Sequence, residues 1–422
     1  MLSILLFLLL QILVIVSVAR AVGVVFIALG QPRVIGEMVA GVLLGPTLFG
    51  RVAPTAAAWL FPAAGVDLLG VVSQVAIVLF MLLVGLRLDE GHLRTNAPAV
   101  VVTSVLSVMV PFALGAGYAF AIASRAAIPA AQVLPFVGFV GLSLSITAFP
   151  VLVRLLSEHG LTQTRLGAVA TACAASGDLA GWVALAFLTS AVAPAGISPA
   201  VALLSLLLYG IVMIAGVRPL LRWVLRHRSP TESMAVVLVA ALGSAAATEA
   251  VGMHALFGAF FTGAMLSKDL RDTTIYTQRI EPLTTLLLPV FFALTGLRAD
   301  LLTLWSADSF AETLLVLVLA IAGKAVAPLL MSRRLAFSRG ETLGLAALLN
   351  TRGLMELVVL NIGLETGLLP QPIFATLLMM ALITTAMTSP LLSCLGYRTS
   401  SRERAPEMTS RDPGTDRTIS TA

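Results

Sequence analysis

Apolar runs of about 20 residues recur along almost the whole chain, and each is long enough for an α-helix to cross a hydrocarbon core of roughly 30 Å. About thirteen can be marked, at residues 3–29, 30–50, 66–86, 97–124, 134–157, 166–193, 197–225, 233–250, 256–267, 282–297, 310–331, 342–364 and 372–395. Some are short or interrupted. The ten-residue alternation of a membrane β-barrel is absent, so every run reads as a helix. With 422 residues, 59% of them hydrophobic and 11% charged, the chain is too apolar for a soluble globule. The expected fold is therefore an all-α polytopic membrane protein seated in a lipid bilayer.

Charge placement refines that picture. A pI near 9.8 raises the question of nucleic acid, but the basic residues fall in short loops and form no basic domain, so none is expected as a partner. In one set of alternate loops lie Arg33, Arg87, Arg94, Arg154, Arg165, Arg218, Arg226, Lys268, Arg333 and Arg339; the other set holds only Arg51, Arg125 and Arg298. Basic residues stay on the cytoplasmic side, which predicts the N-terminus outside, the C-terminus inside and an odd number of spans, in a bacterial-type inner membrane. The first run has no basic leader and no small-residue cleavage site, so it reads as a retained helix. Residues 397–422 are polar and read as a disordered cytoplasmic tail. Cys173 and Cys394 both lie in spans and suggest neither a disulfide framework nor a metal site. No motif calls for a cofactor.

Within the segment TACAASGDLAGWVAL, residues 171–185, a single carboxylate, Asp178, stands among small and apolar side chains. An ionised group at mid-bilayer costs roughly 2.5–3.5 kcal/mol on insertion scales, which makes Asp178 the first functional candidate. Cys173, Gly177 and Gly181 recur at four-residue spacing and let a neighbouring backbone come close. Lys324 lies near the middle of its own span, and an Asp and a Lys on different helices lower each other's desolvation cost if they meet. The pairing reads either as a structural ion pair or as a titratable pair at a transport site.

Two spans look broken. In GLSLSITAFPVLVRLL, Pro150 removes a backbone donor, and Ser145 and Thr147 can serve backbone groups freed by unwinding. In LLNTRGLMELVVLNIGL, the run Asn350, Thr351, Arg352 and Gly353 interrupts an apolar segment. These are the fifth and twelfth spans. If residues 1–193 and 233–396 form two halves joined by a linking helix at 197–225, each break is fifth in its half, and the halves have opposite orientation. That is the pattern of inverted-repeat transporters, with crossed discontinuous helices and a site near the midplane. Arg352 and Glu356, at i and i+4, read either as a local ion pair or as balancing charges at the second break. Glu37, Asp89 and Glu90 read as helix-end or interface residues. His92 reads as a solvated loop residue and His254 as a helix-start residue.

The strings QPRVIGEMVAGVLLGP, FMLLVGLRLD, SITAFPVLVRLLSE, GMHALFGAFFTGAMLSKD, RIEPLTTLLLPVFFALTGLRAD and NTRGLMELVVLNIGLE cover nearly all of the hydrophobic part. In them the chain resembles the monovalent cation:proton antiporter superfamily, in its Kef-like branch with the plant cation/proton exchangers. The resemblance implies a homodimeric exchanger of thirteen helices, with a dimerisation domain and a core domain in which two broken helices cross beside an ion-binding aspartate. Carried over by motif, Asp178 is that aspartate, the ligand of the transported metal cation; Thr147 lies in the first unwound segment, and Lys324 is the basic partner. Family members usually place Asn, Asp or Gln immediately before the aspartate, where this chain has Gly177. Coordination then falls to backbone carbonyls, Ser145, Thr147, Ser176 or water. No nucleotide-binding regulatory domain of the Kef type is expected.

The expected activity is exchange of K+ or Na+ for H+ by alternating access, the two ions competing for Asp178, with Asn350, Arg352, Glu356, Pro150 and Gly177 supporting the crossing. Lys324 either neutralises Asp178 when no cation is bound or exchanges a proton itself. A cation channel is the alternative from another class, but no carbonyl filter or ring of acids marks a pore. A sodium-coupled solute symporter would need further polar residues at the crossing. No set of nucleophile, base and oxyanion donors suggests an enzyme.

Overall fold

The computed structural model describes residues 4–87, 97–192, 199–226, 230–250, 255–267, 269–270, 273–304 and 306–397, and among these no strand occurs. The first half runs through α1 (Ile4–Ala28), α2 (Arg33–Leu44), the short α3 (Phe49–Val52) and α4 (Pro54–Leu60), α5 (Ala63–Leu86), α6 (Ala97–Ile122), α7 (Val133–Ser145), α8 (Phe149–Glu158) and α9 (Arg165–Val192). The connection is α10 (Pro199–Ile211), a π-helical turn at Val212–Val217 and α11 (Arg218–Leu225). The second half comprises α12 (Pro230–Ala250), α13 (Ala255–Ser267), α14 (Thr274–Leu297), α15 (Ala307–Met331), α16 (Arg339–Leu349), α17 (Leu354–Glu365) and α18 (Gln371–Cys394).

Among the described residues, ten helical stretches are long and apolar enough to cross a bilayer. Helix α13 and the two interrupted pairs, α7–α8 and α16–α17, are shorter pieces. Helix α14 starts at Thr274, not at 282, because its polar-looking first turns bury Tyr276, Thr277 and Ile280 against the bundle. The linking helix at 197–225 is not one regular helix: the π turn widens it in the middle. Asp89, Glu90, His92, His254 and the tail at 398–422 lie outside the described residues.

Two groups of helices pack separately. Helices α1, α2, α5, α12, α13 and α14 form one; α6 to α9 and α15 to α18 form the other. In the first, backbones meet at glycines. An added Cβ on Gly41 would stand 2.0 Å from the Ala293 carbonyl oxygen, and one on Gly296 would stand 2.5 Å from that of Met38, so α2 and α14 touch through both. Gly85 and Gly263 do the same for α5 and α13. Close small-residue contact of this kind is how helices associate where lipid removes the hydrophobic drive. Exchanging the two halves turns the α2–α14 pair into the α13–α5 pair, and α6–α9 into α15–α18, as inverted repeats require.

Side-chain bonds around Arg298 join the groups. Arg298, capping α14, donates to Asn361 Oδ1 at 3.2 Å and to Glu365 Oε1 at 2.5 Å on α17. Asn361 Nδ2 returns a bond to Thr295 Oγ1 at 2.7 Å.

Candidate ion-binding site at the helix crossing

The first interruption leaves Ile146, Thr147 and Ala148 unwound between α7 and α8, and the second leaves Asn350 to Gly353 unwound between α16 and α17. Pro150 sits in the first turn of α8, where its missing N–H breaks no bond within that helix, but it has nothing to donate to the Ile146 carbonyl four residues back. The unwound stretches bind each other. Ala148 N–H donates to the Thr351 carbonyl at 2.9 Å, and Thr147 Oγ1 donates to the Leu349 carbonyl at 2.8 Å. Two segments that could not satisfy their own backbones in lipid thus satisfy each other.

The end of α7 carries the densest polar contacts. Its last carbonyls lack helical donors and form the negative end of the helix dipole. Arg352 supplies three bonds: Nη1 to Ser143 O at 2.8 Å and to Ile146 O at 2.6 Å, and Nη2 to Leu144 O at 2.7 Å. Lys324 Nζ donates to Ser145 O, to Thr147 Oγ1 at 2.7 Å and to Ser107 O of α6 at 3.0 Å. Both side chains are buried, Arg352 at 0% and Lys324 at 1% exposure. One of the two partnerships differs from the sequence expectation. Lys324 and Asp178 are not joined by an ion pair, because the ammonium's three donors are consumed by the carbonyl-rich end of α7 and by Ser107. Arg352 and Glu356 form the local ion pair, Nε to Oε2 at 3.7 Å, without a hydrogen bond, since the guanidinium turns its outer nitrogens to the end of α7.

Asp178 faces the opposite end of the same break. It lies beside the Phe149 amide, at the start of α8, where the helix dipole favours an anion, without a hydrogen bond between them. It is 9% exposed, and Oδ1 has no hydrogen-bond partner among the described residues. Small neighbours make room for it. A Cβ on Gly177 would meet only Val108 Cγ2, at 3.5 Å, and one on Gly181 would press on Met355 Cε at 2.5 Å, so the start of α17 rests against α9 there. Cys173 accepts a hydrogen bond from Ser104 of α6 at 3.4 Å.

The remaining candidates take distinct places. Ser145 Oγ donates to Leu142 O at 2.9 Å, and Ser176 Oγ donates back into its own helix, to Ala172 O at 2.8 Å. Asn350 Nδ2 donates to Ala346 O at 3.0 Å while Oδ1 has no partner, and neither Glu356 carboxylate oxygen has a hydrogen bond. Glu37 is buried in α2. Sequence reasoning missed Ser107, whose contribution is a carbonyl, and His159, which is buried at the end of α8 and contacts the Tyr397 carbonyl through Nδ1 at 2.6 Å. A proline four residues after Ser107 was the signal for the first; nothing in the sequence marks the second.

Two inverted halves, crossed broken helices and a buried carboxylate at a helix start define a membrane transporter of the ion-exchanger type. Residues 7–394 match the family described as sodium/hydrogen exchanger, transmembrane, and the chain belongs to it. It is 36% identical over 396 residues to the Na(+)/H(+) antiporter NhaS4 of Synechocystis, covering 92% of this chain and 97% of that one. It is 35% identical to cation/H(+) antiporter 19 of Arabidopsis thaliana over 91% of this chain, and 30% identical to K(+)/H(+) antiporter 1 of Saccharomyces cerevisiae over 89%. It spans about half the length of these last two, 49% and 45%. The fold matches that of the sodium proton antiporter MjNhaP1 of Methanocaldococcus jannaschii, with a TM-score of 0.58 at 16% identity over 94% of this chain and 98% of that one.

Proposed function

We propose that Asp178 is the carboxylate at which this antiporter takes up a monovalent cation and a proton in turn. The observation that carries the reading is the buried Oδ1, unpartnered among the described residues, on a carboxylate beside the start of α8. One carboxylate does not hold a proton and a dehydrated K+ or Na+ strongly at the same moment, so loading either expels the other. The hydroxyl oxygens of Ser145, Thr147 and Ser176 keep lone pairs available as ligands, and backbone carbonyls or water complete the shell where Gly177 offers no side chain. Arg352 and Lys324 hold the α7 end in place and balance its dipole. Glu356 offsets Arg352.

Transport then follows from moving the α6–α9 and α15–α18 group, which carries the site, against the α1–α5 and α12–α14 group, which serves as the dimer scaffold. The Arg298–Asn361–Glu365 bonds tie the two groups at one end of the site, the external one if the N-terminus is outside as the basic loops predict. One pH unit supplies about 1.36 kcal/mol, so one-for-one exchange sustains roughly a tenfold cation gradient. The test is an imposed pH gradient across proteoliposomes, challenged with Li+, Na+, K+ and Rb+ in turn. At least one of Na+ and K+ collapses the gradient with the native protein and fails to do so with Asp178→Asn. Retained exchange in that variant would move the site elsewhere, and failure of every alkali cation with the native protein would reject antiport.

A further inference from the structure

Lys324 is held clear of Asp178 by an acceptor that the sequence of another helix creates. Within α6, Pro111 has no N–H to give to the carbonyl four residues back, which is that of Ser107. That carbonyl accepts from Lys324 Nζ at 3.0 Å. Gly323, the residue before the lysine, packs directly on the proline: an added Cβ would stand 2.9 Å from both Pro111 Cα and Cβ. The proline therefore frees the oxygen and also sets how closely α15 approaches it. The same arrangement recurs in α14, where Pro289 leaves Thr285 O to Arg20 Nη2 at 2.5 Å. In both cases a cation on a different helix takes the carbonyl, which anchors a charge at membrane depth without a carboxylate.

We propose that Pro111 is a positioning residue for ion exchange: by freeing the Ser107 carbonyl it completes a three-oxygen cradle for the Lys324 ammonium and so keeps Asp178 open to the transported cation. An ammonium has three N–H donors, and Ser107 O, Ser145 O and Thr147 Oγ1 engage all three. Without one of them the ammonium has a spare donor, and turned to Asp178 that donor makes Lys324 a competitor of the cation. The inference rests on the reading of Asp178 as the exchange site.

Pro111→Ala restores an amide that closes the helical bond to Ser107 O, and it puts a better helix former into α6. Pro111→Gly restores the same amide and replaces the Ala variant if that does not fold. The readout is Na+ and K+ affinity of the detergent-purified protein, from the cation dependence of its melting temperature, which needs no transport. Pro111→Ala weakens cation binding about fivefold, the effect of losing one hydrogen bond, when Lys324 is present. In a Lys324→Met background, or Lys324→Gln if Met does not fold, it changes nothing. An unchanged affinity with Lys324 present, or equal weakening in both backgrounds, overturns the proposal; the second result would make Pro111 a packing residue only. Native-like cation binding by Asp178→Asn would instead overturn the site on which the proposal rests.

Discussion

The two interruptions occupy equivalent places in the two halves and yet are satisfied in opposite ways. At the first, the groups that answer the open helix ends come from elsewhere: Lys324 from α15, Arg352 from the second break and Asp178 from α9. At the second, the charges are local, with Arg352 in the unwound run and Glu356 in the first turn of α17, and hydroxyls of Thr147, Thr385 and Thr388 supply the remaining bonds. The difference separates two tasks. A break answered by side chains on several helices changes its electrostatics when those helices shift or when one group gains a proton. A break whose charges lie on its own segment keeps them as the helices shift and braces the other.

If that division holds, substitutions at the two breaks fail in different ways. Asp178→Asn abolishes exchange but leaves thermal stability in detergent within about 1 kcal/mol of native or raises it, since it removes a buried carboxylate that has no salt-bridge partner. Arg352→Met does the reverse in kind: it strips three carbonyls at the end of α7, those of Ser143, Leu144 and Ile146, of their donors and leaves Glu356 buried alone, a loss of about 3–5 kcal/mol read from thermal unfolding. Adding Glu356→Gln to it recovers part of that loss. Equal destabilisation by Asp178→Asn would erase the distinction.

A smaller effect is expected where the breaks touch. Thr147 accepts from Lys324 and donates to Leu349 O, so Thr147→Val removes the one hydroxyl bonded to both sides. It costs about 1–2 kcal/mol of stability and, by loosening Lys324, lowers exchange as well. Loss of stability with native exchange kinetics would mean that the two breaks are not coupled through this residue.

The smallest effect is expected away from the crossing. Asp269, in the turn before α14, accepts from Arg218 at 2.8 Å and from Arg222 at 2.5 Å. Burial pushes its carboxyl up, but the two arginine hydrogen bonds outweigh burial and hold it below its usual 3.8. A depressed carboxyl contributes its stability in full above the unfolded value and loses it only as pH falls through the folded one. Between pH 5 and 9, Asp269→Asn therefore leaves the pH profile of thermal stability parallel to native, and any slope in that window arises elsewhere. A slope that disappears with the substitution would contradict this.

Much of this arrangement could be read from the chain alone, because membrane burial makes polar residues conspicuous. Asp178, Lys324, Pro150 and the run Asn350–Thr351–Arg352 stand out against apolar neighbours, and the equal placement of the breaks needs only a count of spans. What could not be read was which partner each charge takes. The i, i+4 spacing of Arg352 and Glu356 gave the local pair but not the three carbonyls that take the outer guanidinium nitrogens, and the complementary signs of Lys324 and Asp178 suggested a bridge that does not form. The acceptors that win are mostly main-chain carbonyls, which leave no trace in residue identity. The early start of α14 was hidden for a related reason: its buried face includes Tyr276 and Thr277, which an apolarity scan counts against a span.

The central claim, that H+ and a metal cation share Asp178, is tested most directly by proton release on cation binding. Purified protein in weakly buffered detergent near neutral pH receives saturating Na+ or K+ in the presence of a pH-indicator dye. The account predicts that protons are released by the native protein and that none are released by Asp178→Asn. Undiminished release from that variant would contradict it.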